Sequence, residues 1–235
     1  MGTTRNWCIS LGLALAVSLT ISGESAAGDS SIRLEIAVYI YNYARVDQKT
    51  LAEAEKVAAR IFEKSGVETR WVEVDFSAGA KPTLPSVSLS FIQLDVLTRE
   101  MFDRLGLSND VMGLALGAGS NRKYVYVSTS RADALFFGEL SAQARGIPRS
   151  LASRGQILGH IFAHEMGHVL LNVVNHSASG IMRGVWDSKD LNDATSGRLV
   201  FSAEQSEILR AEVIRRASQH QAITMSGEET ARLIR

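Results

Sequence analysis

Apolar and polar positions alternate, run and recur along this chain in three distinct patterns, and each predicts a different element. Ile32 to Tyr41 (IRLEIAVYIY) is rich in β-branched and aromatic residues with no glycine or proline, which predicts a largely buried strand. Leu51, Ala54, Val57, Ala58, Ile61 and Phe62 then recur at helical spacing behind Asp47, a side chain suited to an N-cap, with Gly66 as a stop. Thr69 to Val74 predicts a second strand, so the opening reads as a βαβ unit. Pro82 and Pro85 bracket a loop before a third strand at Val87 to Leu94, and a short helix is expected between Leu97 and Gly106. Met112 to Leu116 and Tyr124 to Ser128 flank the turn-rich Gly117 to Asn121 and predict a hairpin. A weakly specified helix is expected over Ala132 to Ala144. A further helix is expected to begin between Arg149 and Gly155. Ser202-x-x-Gln205 predicts a capping box for a last helix carrying Ile208, Leu209, Val213 and Ile214.

Composition narrows the classes. Twenty-five acidic and 25 basic residues give no net charge, so neither nucleic acid nor an anionic membrane surface is expected as a partner. Arg5, the apolar run Ile9 to Ile21 and the small residues Ser25-Ala26-Ala27 predict a signal peptide over residues 1–27, cleaved after Ala27. That run is short for a membrane span, which needs about 20 residues; an uncleaved anchor is the alternative. The expected division is therefore a signal peptide at 1–27, one domain over 28–218 and a poorly ordered tail over 219–235. The localisation expected is periplasmic or secreted, without stable membrane insertion. Cys8 is the only cysteine and lies in the leader, so no thiolate ligand or disulfide is expected afterwards.

Candidate chemistry is concentrated in one stretch. Four of the five histidines, His160, His164, His168 and His176, fall close together. His164-Glu165-x-x-His168 on a helix places two imidazoles one turn apart on one face, within reach of a single zinc ion at about 2.0–2.1 Å. Glu165, beside the first of them, can face the open coordination position and act as general base toward a water acidified by the metal. A third ligand is needed. On a continued helix His176 would lie about 12 Å further along the axis, so the helix must end after Leu171. Asn172 is the residue there that best tolerates a left-handed terminating conformation. His176 on the returning chain is then the third ligand; Glu204 or Glu207 of the last helix would instead complete a two-histidine, one-glutamate set. His160, one turn before His164, is a candidate for a supporting or substitute ligand.

The stretch His164-Glu165-x-x-His168, then His176 and Met182, resembles the metzincin clan of zinc endopeptidases, with a third histidine on the returning chain and a turn containing methionine. It is also similar to a group of exported bacterial proteins with a motif of roughly HExGHLLL…HSxxGIMR…W. The resemblance implies an α/β (α+β) fold: a twisted, mixed five-stranded sheet with an antiparallel edge strand, a backing helix, an active-site helix, a Met-turn and a C-terminal helix. It implies zinc on His164, His168 and His176, Glu165 as base, Met182 as a packing floor, and a peptide or protein substrate. Two departures stand out. Leu171 occupies the clan's glycine position and the third histidine arrives two residues late. Arg183-Gly184 follows Met182, so the proline or tyrosine of several families is missing. A non-proteolytic zinc-binding module of the same fold is the alternative function. Three lesser features complete the picture. Gly155, Gly159, Ala163 and Gly167 form a small-residue stripe that predicts close packing. Trp186 and Asp187 are candidates for a pocket wall, with Trp186 equally readable as a core anchor. The strand from Gly113 could take up an extended peptide, and His220 is expected to be solvated.

Overall fold

Five strands form one mixed sheet in the order β2-β1-β3-β5-β4, with only the edge strand β4 antiparallel to its neighbour. The computed structural model describes residues 33–75, 91–107, 111–116, 123–145 and 152–233. The expected leader, the Pro82–Pro85 loop and the Gly117–Asn121 turn lie outside these residues, as does the side chain of His220. In chain order the elements are β1 (Glu35–Asn42), α1 (Gln48–Glu63), β2 (Glu68–Glu73), β3 (Phe91–Leu97), α2 (Arg99–Asp103), β4 (Gly113–Leu116), β5 (Tyr124–Ser128), α3 (Thr129–Ala144), α4 (Arg154–Leu171), α5 (Ser188–Thr195) and α6 (Ala203–Leu233). The mixed sheet with its antiparallel edge is the sheet that the resemblance implies.

Strand alternation sorts the side chains into two faces. Ile36, Val38 and Ile40 of β1 join Ile92, Leu94 and Val96 of β3 and Val125 and Val127 of β5 in the main core, beneath the helices. Ala37, Tyr39 and Tyr41 point the other way, with Val72, Val74 and Phe91 packed against them. Because β1 is buried on both faces, it reads as a continuous apolar run. The third strand is described from Phe91 and runs on to Leu97, past the expected end at Leu94, while Val87 to Ser90 of the expected strand lie outside the described residues.

Helix α1 starts where Asp47 accepts a hydrogen bond from the Thr50 amide (3.0 Å), and Gly66 takes a left-handed φ of 78° just past its end. It carries one uncomfortable group. The Oε1 of Glu55 is buried with no hydrogen-bond partner among the described residues, and burial, aided by the charge of Glu73, pushes its carboxyl up to about 7. The folded chain therefore holds a proton that the unfolded chain has released. This contribution to stability is fully present below pH about 4.5 and is lost as pH rises to about 7. Glu55→Gln removes the dependence: relative to wild type, the variant's melting temperature is expected to be higher at pH 8 than at pH 5. Equal differences at the two pH values would refute this.

Helix α4 is buried from Ile157 to Leu171 on every side, as befits an element sandwiched between α1, the sheet and the C-terminal segments. Its first turn is closed by a capping box that the sequence reading overlooked: Gln156 N donates to Ser153 Oγ (3.0 Å) and Ser153 N to Gln156 Oε1 (2.9 Å). The small-residue stripe packs as expected. A Cβ at Gly159 would lie 2.5 Å from the carbonyl oxygen of Ala54 and 2.7 Å from Val57 Cβ, so α1 and α4 approach closely only because glycine stands there.

One expectation for the C-terminal part needs correction. The Ser202–Gln205 capping box forms, with Gln205 N donating to Ser202 Oγ (3.1 Å) and Ser202 N to Gln205 Oε1 (2.9 Å). Of the apolar stripe, however, only Leu209 and Val213 are buried, while Ile208 and Ile214 are 44% and 50% exposed. The contact with α4 is a narrow seam, and residues flanking it face solvent. Helix α6 is described as far as Leu233. No helix among the described residues is long and apolar enough to cross a membrane.

Candidate metal centre

The termination of α4 places the site. Asn172 adopts the left-handed conformation (φ 53°, ψ 38°) at the helix C-cap, as the sequence predicts. Arg216 of α6 donates to the carbonyl of Val169 (3.3 Å), supplying one of the last-turn carbonyls with a partner. The chain then returns through a closed turn. Ser177 N donates to the carbonyl of Met182 (2.9 Å), Ser177 Oγ to that of Ser179 (2.7 Å), and Ile181 N to that of Val200 (3.2 Å), with Gly180 at φ 74°. His176 sits at the mouth of this turn, and its ring comes back over the helix.

His164, His168 and His176 converge, each offering a ring nitrogen, with all three nitrogens within 4.8 Å of one another. Ring centroids are 4.8 Å (His164–His168), 5.3 Å (His164–His176) and 5.0 Å (His168–His176) apart. The hydrogen bonds on the far side of the two helical rings decide what the near side presents. His164 Nδ1 lies 2.7 Å from the carbonyl of Ile181, and His168 Nδ1 lies 3.0 Å from that of Val173. A carbonyl only accepts, so in both rings Nδ1 carries the proton and the neutral ring bears a lone pair on Nε2. Those two Nε2 atoms face each other at 3.1 Å. Two lone pairs at that distance repel unless a cation lies between them, and tetrahedral zinc with bonds of about 2.0–2.1 Å holds its nitrogens about 3.3 Å apart. Burial also pushes the His164 imidazolium down to about 3, with His168 and His176 adding to the effect, so this ring is kept in the neutral, ligating form. The donor set is compatible with zinc.

Glu165 is 3% exposed, with Oε1 4.0 Å from His164 Nε2. Its place is made by the edge strand: a Cβ at Gly113 would lie 2.6 Å from Glu165 Cγ. A cleft of about 400 Å³ opens between β4 and the histidines, lined among others by Met112, Gly113, Leu114, Val174 and Gly184, and Glu165 is the one carboxylate on its described walls. Burial alone pushes this carboxyl up to about 8.

The remaining candidates fall into place around these residues. Met182 is buried, its sulfur against α4 at Gly167, where a Cβ would lie 2.6 Å away; it is packing material beneath the histidines. Gly184, which follows the unexpected Arg183, gives His176 its room, since a Cβ there would lie 2.8 Å from the imidazole. Glu204 and Glu207 are exposed on α6 and do not join the histidine cluster, so a two-histidine, one-glutamate set is not assembled. His160 is not a member either. It is 2% exposed, its Nδ1 donates to the Gln156 carbonyl (2.7 Å), and it borders a separate cavity of about 310 Å³ beside Arg60 and Lys64. Trp186 is 5% exposed and absent from the cleft wall, so it anchors the core.

Sequence reading missed α5 altogether. Asp187 caps it, accepting from Lys189 N (2.8 Å) and Asp190 N (3.2 Å), while Asp190 accepts from Asp187 N (2.9 Å). Arg183 joins this knot by donating to Asp187 (2.7 Å) and Asp190 (2.6 Å), which ties the end of the Met182 turn to the new helix. The Asp187-x-x-Asp190 spacing was the available signal.

No family model and no curated protein matches the chain. Among solved structures, it is similar to a zinc-dependent peptidase from Methanocorpusculum labreanum (strain Z), with a TM-score of 0.44 and 14% identity over 73% of this chain and 99% of that one. A likeness this slight decides nothing about chemistry, which rests on the side chains.

Proposed function

We propose that the protein is a zinc-dependent peptidase of metzincin-like design, with His164, His168 and His176 as ligands and Glu165 as general base. The observation that carries the reading is the convergence of three histidine nitrogens beside a buried carboxylate at the back of an open cleft. When bound, zinc supplies a Lewis acid that polarises a carbonyl and acidifies water. The chain's own residues do the rest. The carbonyls of Ile181 and Val173 fix the tautomers of His164 and His168 and aim their Nε2 atoms. Glu165, held between α4 and Gly113, takes a proton from the attacking water and returns it to the departing amide nitrogen. The edge strand β4, which has one neighbouring strand among the described residues and borders the cleft, offers main-chain groups to an extended peptide. The substrate is accordingly a peptide or protein segment, met outside the cytoplasm when the predicted leader has been removed.

Purified protein is expected to retain about one zinc ion per chain and to cleave casein or a mixed peptide library, with the activity lost to a chelator and restored by zinc. Folded protein that neither retains nor takes up zinc would overturn the proposal. Zinc without cleavage would instead establish the non-proteolytic binding module.

A further inference from the structure

The Ile181 carbonyl that orients His164 has a second donor. Trp186 Nε1 lies 3.3 Å from the same oxygen, while His164 Nδ1 lies 2.7 Å from it; a carbonyl has two lone pairs and can accept both. The indole also meets the His164 ring edge-on, with centroids 5.9 Å apart and planes at 83°, and meets the His160 ring in the same way at 6.3 Å and 87°. Trp186 is itself held, because it lies between the Met182 turn and α5, within the segment that Arg183 ties to Asp187 and Asp190. It is buried and is not among the described residues that line the cleft.

We propose that Trp186 is a positioning residue of the metal centre: its indole N–H holds the Ile181 carbonyl, and that carbonyl fixes the tautomer and orientation of His164. The inference rests on the zinc reading given above. The indole does for Ile181 what an outer hydrogen-bond partner does for a ligand, at one remove. Without the indole N–H the carbonyl keeps only the histidine as partner and the turn loses a restraint on its orientation, so His164 presents its Nε2 less well.

Trp186→Phe keeps an aromatic ring and deletes the donor. Competition with a chromophoric chelator is expected to show zinc binding weakened by about tenfold, the lower end of what loss of an outer-shell partner costs, while the zinc-free variant still unfolds in a single cooperative transition, at a temperature lowered by the lost packing of the buried indole. A second measurement serves if that variant fails to fold. In wild-type protein labelled with 15N, the indole N–H resonance of Trp186 is expected to move on addition of zinc. That of Trp71, bonded to Thr69 Oγ1 at 3.0 Å, serves as the internal reference and should stay in place. Zinc affinity unchanged in the folded variant, or a Trp186 resonance indifferent to zinc, would overturn the inference and leave the zinc site standing. Wild-type protein that binds no zinc would overturn both.

Discussion

Glu165→Gln is expected to abolish measurable peptide hydrolysis while leaving zinc in place. The amide matches the carboxylate in shape, so it fits the pocket between α4 and Gly113, where an added methyl would not. It cannot take a proton from water. Positioned general bases contribute about 10²–10⁴-fold, so kcat/KM should fall by that factor, equivalent to about 3–5 kcal/mol of transition-state stabilisation. The fold should not suffer. Burial opposes ionisation of this carboxyl, so a neutral amide suits the same surroundings. The variant and wild type should therefore contain equal zinc, measured by atomic emission, and differ in turnover. Activity within tenfold of wild type would remove Glu165 from the mechanism.

His176→Ala should lower zinc affinity by well over the 10–100-fold that loss of an outer-shell partner costs. His176 is exposed and lies after the helix, so the zinc-free variant should keep its melting temperature. What should vanish is the stabilisation that zinc confers, since a ligand raises stability by RT ln(1 + [L]/Kd) and Kd has risen. Glu204→Ala and Glu207→Ala should retain wild-type zinc binding because both carboxylates project from the exposed side of α6. A titration followed by calorimetry or thermal melting separates the outcomes. Full zinc affinity in His176→Ala would sink the three-histidine set.

These expectations combine what was legible in the residues with what was not. Local signals were legible at several helix ends, although the equally local Ser153–Gln156 and Asp187–Asp190 boxes were missed. Asp47 caps α1, Ser202 and Gln205 cap α6, and Asn172 ends α4, because a cap is satisfied by atoms three or four positions away. The pair His164 and His168 follows from helical spacing alone. Where the controlling partner is distant in sequence, reading failed or stopped short. Ile208 and Ile214 looked like core and are exposed, since the width of the α4–α6 seam is set by the other helix. Trp186 was readable equally as a pocket wall or a core anchor, and only the folded chain, by burying it against the Ile181 carbonyl, chooses the second. Helix α5 escaped notice because eight residues with two buried apolar side chains show too little periodicity to stand out.

By itself, then, the sequence determined the order of the strands and main helices, the two-histidine helix and its stop at Asn172, all properties of short-range geometry. Only the tertiary structure decided that His176 comes to lie beside His164 and His168 while Glu204 and Glu207 do not, that Gly113 and Gly184 make the space for Glu165 and His176, and that the carbonyls of Val173 and Ile181 turn both helical imidazoles toward one point. The physical reason is the range of the interaction: hydrogen bonds within one turn are written in adjacent residues, while the meeting of a strand edge, a helix and a returning loop depends on how every intervening segment packs.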